Sequence, residues 1–329
     1  MKLIIISTCT NAKKRPLPDS SCLLDNCIKK TCDETVDEWL RNIQSPKHYN
    51  VCAEQLYMGS HWKETLGCVD AAKKEGFNPE LWILSAGWGL IRSDSKISPY
   101  SATFSQGANS IHNLPWPEEF SAQRKAQMWW KGINTKRGLS TSSSISSLFN
   151  SSDPIRFLII LSREYYSAVE TEILELISRG AEVIIVSAGL YSDSRSTSPV
   201  ARDHMLPVTD KFKQADEYLN HTNVSLNARL AKWIIQKFPK EIESGLLATH
   251  EAISKIAKSL PEIIRRDVVR MTDEDVRCFI KGNYSAELRT ASALLKMLRH
   301  REKKSCEQKR FGKLFNQYKS EKDKGLFDV

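Results

Sequence analysis

The chain has 329 residues, 41% hydrophobic and 26% charged, which excludes collagen-like, coiled-coil and intrinsically disordered architectures and implies one large domain plus an accessory piece, or two domains. Its formal charge is +9, and the placement matters more than the size: twelve Lys or Arg against four Asp or Glu fall between Arg289 and Lys324, leaving the rest near neutral. A basic terminal block on a balanced body suggests a polyanion held through phosphate contacts, although a solvated basic helix has the same composition.

Lys2 to Thr8 reads as a first strand feeding the polar loop Cys9–Asp19, whose two prolines end it. Its apolar run Leu3–Ile6 is far shorter than the ~20 residues of a membrane span and too short for a secretory core, so a cytoplasmic protein with no membrane partner is expected. Val51–Glu75 reads as a helix, Asn78-Pro79 as a break, Leu81–Ser85 as a second strand, and Ala86–Gln106 as a long loop rich in polar and aromatic residues. A helix over Ser121–Lys131 precedes Gly138–Asp153, where serine fills half the positions and a flexible insertion is expected. Phe157–Leu161 and Glu182–Val186 are continuous apolar strands around the helix Ala168–Ser178, the unit that a buried parallel sheet uses. Asn223–Phe238 has helical spacing. Beyond it, a helix start at Thr272, helices over Ser285–Arg301 and Cys306–Tyr318, and their Lys and Arg resemble a small helical DNA-binding module.

The expected class is therefore α/β: a three-layer domain over residues 1–245 with a central, mostly parallel sheet, and a helical basic domain over 246–329. The eight cysteines form no CxxC pair and read as thiols. Cys22, Cys27 and Cys32 recur at five-residue intervals, which with a histidine could hold a metal; without a CxxC knuckle, loop and core thiols are the simpler reading. A Walker A loop, GxGxxG, HExxH and GxSxG are all absent.

Three stretches resemble one family. Ile83-Leu84-Ser85-Ala86-Gly87-Trp88-Gly89-Leu90-Ile91-Arg92, continuing through Ile97, Pro99 and Tyr100, is similar to the signature of YaaA-like proteins. Leu161-Ser162-Arg163-Glu164-Tyr165-Tyr166 resembles the family's Ala-Ser-x-Glu-Tyr-Phe segment, and Asn227-Ala228-Arg229-Leu230 its Lys-Ala-Arg-Gly helix, with leucine replacing glycine. Ser7–Lys14 and Glu54-Gln55-Leu56-Tyr57-x-Gly59 look closer to a smaller YaaA-related domain family of bacterial and phage-associated genomes. The resemblance covers roughly residues 1–240 and implies a DNA-associated α/β domain. The chain also looks like the anti-phage DNA glycosylases that remove glucosylated hydroxymethylcytosine, which implies a monofunctional glycosylase leaving abasic sites. A non-enzymatic DNA-binding stress or repair protein and a base-exchange or deazaguanine-modifying enzyme are the alternatives.

Such chemistry needs a group to hold or activate water, a pocket for the extruded base and positive charge along the backbone. Asn11, in the first loop with Asp19, and Asp94, after the second strand, are the candidate catalytic pair; Ser93-Asp94-Ser95 is equally ordinary turn chemistry, and Asn11 could simply brace its loop. Lys13 and Lys14 could supply a desolvated amine nucleophile or contact phosphate. Trp88, between Gly87 and Gly89, could stack on a base, as could Tyr57, Trp62, Tyr100 and Tyr165, with core packing the competing role. Thr10, Arg92, Ser162, His204 and Arg229 complete the expected substrate-binding set, Arg229 by its family match. Arg299, Arg301, Lys303, Lys304, Lys309, Arg310 and Lys313 are assigned to the backbone of double-stranded DNA. No cofactor, metal or protein partner is expected.

Overall fold

The opening apolar run forms strand β1 (Lys2–Thr8), the central strand of a five-stranded sheet in the computed structural model, which describes residues 1–138, 144–150, 154–191, 197–263, 269–285, 288–302 and 304–323. Burial without interruption from Leu3 to Thr8 is what a strand with partners on both edges and helices on both faces requires. Helix α1 (Cys32–Ile43), started by a reciprocal Thr31–Glu34 capping box, leads through β2 (Val51–Cys52), α2 (Ala53–Leu56) and α3 (Ser60–Lys74) to β3 (Asn78–Ser85). β4 (Gly89–Arg92) turns back antiparallel to β3, and β5 (Lys96–Ile97) pairs with β2. Helix α4 (Ala122–Lys136), β6 (Ile155–Ile160), α5 (Arg163–Ser178) and β7 (Glu182–Val186) complete the sheet. α6 (Ala188–Tyr191), α7 (Pro199–Asp203), α8 (Leu226–Lys237), α9 (Pro239–Ser244) and α10 (Leu246–Ser259) follow.

The strand order is β4-β3-β1-β6-β7, parallel throughout except at β4, so the mixed α/β class with a mostly parallel central sheet is the fold observed. The chain leaves β1 toward β3, then crosses back past β1 to β6 and on to β7. Right-handed crossovers running in opposite directions place their helices on opposite faces, giving the layer of α3 with α8 and the layer of α4 with α5 and α1. The reversal also leaves a crevice between the carboxyl ends of β1 and β6, the place where open α/β sheets bind ligands.

The expected single helix over Val51–Glu75 is broken at Tyr57–Gly59. Gly59 adopts φ 100, and the chain before it pairs with the first loop, Lys14 N–H reaching Leu56 O at 2.8 Å and Met58 N–H reaching Ala12 O at 3.2 Å. Asn78-Pro79 does not precede β3 but belongs to it: β4 covers β3 only over Trp82–Ser85, so Pro79 faces β1 on one edge and has no β4 partner on the other. Within the Ser-rich stretch, residues 144–150 are packed rather than flexible, since Ile145 is fully buried and its N–H meets Glu172 Oε2 at 2.7 Å. Residues 139–143 and 151–153 of that stretch lie outside the described residues.

Two compact units divide at Glu262 and Ile263. The boundary thus falls after α10, not at 245: Thr249 and Ile253 of α10 are buried, the helix packs on α9 and β7, and Leu246 N–H bonds Glu182 Oε2 at 3.0 Å. The second unit contains β8 (Val269–Arg270), α11 (Asp273–Asn283), α12 (Ala291–His300), β9 (Lys304–Ser305) and α13 (Gln308–Asp323), with β8 and β9 parallel. Its own core is built on Val276, Ile280, Leu294, Leu298 and Phe311.

Candidate functional site at the sheet switch point

Cys9 is the first residue after β1, held by its N–H on Leu84 O at 3.0 Å, and Tyr165 lies in the first turn of α5 after β6. Their side chains meet across the crevice, Sγ to Oη 3.0 Å. Behind them Tyr100 Oη lies 3.4 Å from Cys9 Sγ, 2.7 Å from Ser85 Oγ and 3.1 Å from Tyr57 Oη. Ser85 Oγ also accepts from the Trp88 N–H at 3.0 Å. Tyr57 and Tyr100 are fully buried and form the floor of the cluster, above which Cys9 and Tyr165 are 7% and 8% exposed. Burial, followed by the neighbouring Cys9 thiol, raises the phenol pKa values of Tyr57, Tyr100 and Tyr165; all three are neutral hydroxyl donors near pH 7.

Lys13 covers this floor. Its backbone pairs with Tyr57, and its Nζ lies 4.3 Å from the Tyr100 ring centroid and 5.9 Å from that of Tyr57, donating to the Thr10 and Asn11 carbonyls at 3.3 Å each. No carboxylate among the described residues pairs with it. Desolvation lowers its pKa, opposed in part by Cys9. Thr10 fixes the same loop, its hydroxyl donating to Ala12 O and Met58 O at 3.0 and 2.9 Å, and Asn11 is exposed. His61, at the start of α3, sits on the end of β1 itself, with Nε2 3.1 Å from Thr8 Oγ1 and 3.3 Å from Ser7 Oγ; burial lowers its pKa to about 4, so the ring is neutral.

Of the expected site residues, Thr10, Asn11, Lys13, Tyr57, Tyr100 and Tyr165 converge here. Asp94 does not join Asn11. β4 runs back along β3 with Arg92 opposite Trp82, so the turn carrying Asp94 lies three residues, about 10 Å, down the sheet from the Ser85 end. There Asp94 is paired with Arg92 at 2.5 Å on the open surface. Arg92 instead lines a separate cleft of about 500 Å³ with Lys14, Glu54, Lys73 and Glu80. The Trp88 indole is not free to stack on a base: it is buried and donates to Ser98 O at 3.2 Å. The turn around it is pinned by large donors, Trp129 Nε1 on Ala86 O, Trp39 Nε1 on Gly87 O, and the Arg137 guanidinium on Trp88 O and Leu90 O.

Arg229 is likewise internal, donating to Ser225 Oγ at 2.7 Å and Thr222 O at 2.8 Å, and so braces the start of α8 instead of meeting phosphate. His204 lies beside β7, its Nδ1 3.0 Å from Val183 O near that strand's start, far from the carboxyl edge of β1. Ser162 caps no backbone group of α5 and bonds Glu164 at 2.7 Å. Trp62 packs edge-on against Tyr57 and donates to Glu54 O.

In the second unit, Arg301, Lys304, Lys309 and Lys313 are exposed. Arg299 is committed to Cys306 O at 2.9 Å, and Arg310 to Met271 O and Asp273 at 2.9 and 2.5 Å, so both tie the unit together. Lys303 lies outside the described residues.

Cys9, Ser85 and His61 are the site residues that sequence reasoning missed. The available signal was position: Cys9 follows β1 and Ser85 ends β3, at the carboxyl ends of two adjacent parallel strands. His61 had no such marker. Among the described residues no helix is long and apolar enough to cross a membrane. No protein-family model matches the chain, and no curated protein and no solved structure matches it significantly.

Proposed function

We propose that the chain is a DNA N-glycosylase that removes a modified cytosine, the glucosylated hydroxymethyl base of phage DNA being the substrate that the resemblance to anti-phage glycosylases implies. The observation that carries this reading is the Lys13 amine, lying over the Tyr100 ring without a carboxylate partner, beside a thiol and three phenols at the switch point. Desolvation enriches its neutral form relative to a surface lysine, and in that form its lone pair attacks C1′ as the glycosidic bond breaks. The base leaves with the bonding electron pair and takes its proton from solvent. The resulting sugar iminium is hydrolysed to an abasic site, or loses its 3′ phosphate by elimination after a C2′ proton departs. This places the chemistry on Lys13 rather than on Asn11 and Asp94, and adds a lyase step to the monofunctional expectation.

A DNA-binding protein without catalysis is the second reading, favoured by the exposed Arg301, Lys304, Lys309 and Lys313. The experiment is incubation with DNA containing glucosylated hydroxymethylcytosine beside matched unmodified DNA, with mass spectrometry of released molecules and borohydride trapping of the imine. Free modified base and a trapped adduct, both reduced at least about 100-fold in Lys13→Met, are expected. Binding of both DNAs with no released base moves the assignment to the binding protein. Undiminished release by Lys13→Met removes the amine from the mechanism.

A further inference from the structure

The second unit carries a helix face that its own core does not use. α13 buries Phe311, Leu314, Phe315 and Tyr318 on one side, and it packs on α11 and α12. The opposite side presents Lys309, Lys313, Asn316 and Ser320 at helical spacing, all exposed, with Gln317 beside them. None of these five side chains has a hydrogen bond or ion pair among the described residues. No Asp or Glu occurs between Lys309 and Ser320. α13 and α11 flank a shallow groove of about 720 Å³, with Arg277 on the α11 wall and Lys313, Asn316, Gln317, Ser320 and Glu321 on the α13 wall.

We propose that α13 lies in the major groove of double-stranded DNA, with Asn316 and Gln317 reading base edges and Lys309, Lys313 and Arg277 meeting the phosphates beside them. The charge is complementary, since the stripe carries cations and no carboxylate. The fit is also one of size: a helix with its side chains is about 10–12 Å across, and the major groove is about 12 Å wide. From Lys309 to Ser320 the stripe is about 16 Å long, the rise of about four or five base pairs. A carboxamide pairs with adenine by accepting from N6–H and donating to N7, and the amides of Asn316 and Gln317 are uncommitted on the open side of the helix. The helix is offered by its side and not its tip, because the Glu307 carboxylate already accepts from the Lys309 and Arg310 N–H groups at 3.3 and 3.2 Å. An RNA duplex has a major groove too deep and narrow for side chains to read. A protein partner would be held by apolar anchors, and no large apolar side chain of the second unit is exposed among the described residues. The inference goes beyond the proposed function, giving the chain a sequence preference set by its second unit, and it stands whether or not the first unit removes a base.

The test is selection of duplexes bound by the purified full chain from a random-sequence pool of unmodified DNA, read by sequencing, then titration of the selected site. An enriched motif with at least one fixed adenine is expected. In Asn316→Ala or Gln317→Ala an adenine position should lose its preference, while binding to unrelated duplexes stays within about twofold of the wild type. Replacing that adenine with 7-deazaadenine, which removes the N7 acceptor, should weaken the wild type at least about fivefold and leave unchanged the variant that no longer reads it. Both substitutions fall at exposed helical positions where alanine is the better helix former, so unfolding does not produce this pattern. A pool without an enriched motif, or a motif that both variants retain in full, overturns the proposal. All of this is read on unmodified DNA and apart from base release, so failure of the glycosylase reading and failure of this one are told apart.

Discussion

Replacing Gly87 with alanine tests whether the turn after β3 sets the site. A Cβ at residue 87 would lie 2.4 Å from Tyr100 Cδ2, 2.5 Å from Cε2 and 3.0 Å from Trp39 Cζ2. Ordinary carbon contacts need about 3.5–4.0 Å, so the Tyr100 ring must retreat by roughly 1 Å. It cannot do so freely: Tyr100 is fully buried, Trp39 stacks edge-on against it at 6.2 Å between centroids, and the Trp39 indole is tied to Gly87 O itself. Overpacking of this kind costs about 1–3 kcal/mol, and weakening the Tyr100 hydroxyl's bond to Ser85 adds about 1 kcal/mol, giving about 3 kcal/mol in all. All eight tryptophans lie in the first unit, so urea unfolding followed by tryptophan fluorescence reports that unit alone. Gly189→Ala, whose Cβ meets nothing within 4 Å, is the control and should leave stability level or raise it slightly. A Gly87→Ala protein as stable as the wild type would refute the close approach of this turn to Tyr100 and with it the pinned floor of the site.

Acid should act through His61. Its folded pKa of about 4 lies below the ordinary 6.5, so the unfolded chain binds more protons between these values and stability falls as pH drops through that window. The loss reaches about 3 kcal/mol by pH 4, and His61→Gln should remove that share of it; identical acid denaturation profiles for the two proteins would exclude the assignment. Arg229→Met should destabilise the first unit by about 2–4 kcal/mol, read by the same fluorescence assay, because it strands the Thr222 carbonyl and the Ser225 hydroxyl. In the second unit, Lys309→Gln with Lys313→Gln should weaken DNA binding and flatten the salt dependence of log K by about 2, in titrations at several salt concentrations. Arg310→Gln should instead lower the unit's own stability, since that side chain spans from α13 to Asp273 and Met271 O.

The apolar periodicity of the chain was enough to locate the four parallel strands of the sheet, whereas the antiparallel β4 fell inside the stretch read as a loop, Ala86–Gln106. Glu182–Val186 was legible to the residue, and the continuous apolar runs of β1 and β6 announced strands buried on both faces. Ser121 and Thr272 marked the starts of α4 and α11 because capping depends on side chains within one turn. The carboxyl edge of the sheet could also be named as the site in advance, since that follows from parallel topology alone.

Local sequence could not fix what meets at that edge. Asp94 looked equivalent to Asn11 because both follow strands, but the strand before Asp94 is the antiparallel β4, which carries it back down the sheet; strand direction is a property of pairing and is absent from any local window. Trp88 and Arg229 had the residue types of ligand-binding groups, yet the carbonyl of Ser98 and those around Thr222 claim them first. The break at Tyr57–Gly59 has the same origin, as the helical pattern there yields to pairing with a loop more than forty residues earlier. Tertiary structure alone joined Cys9 to Tyr165 and Cys22 to His48, because side chains separated by 156 and 26 residues become neighbours only once crossover connections have set the strand order and closed the loops around it.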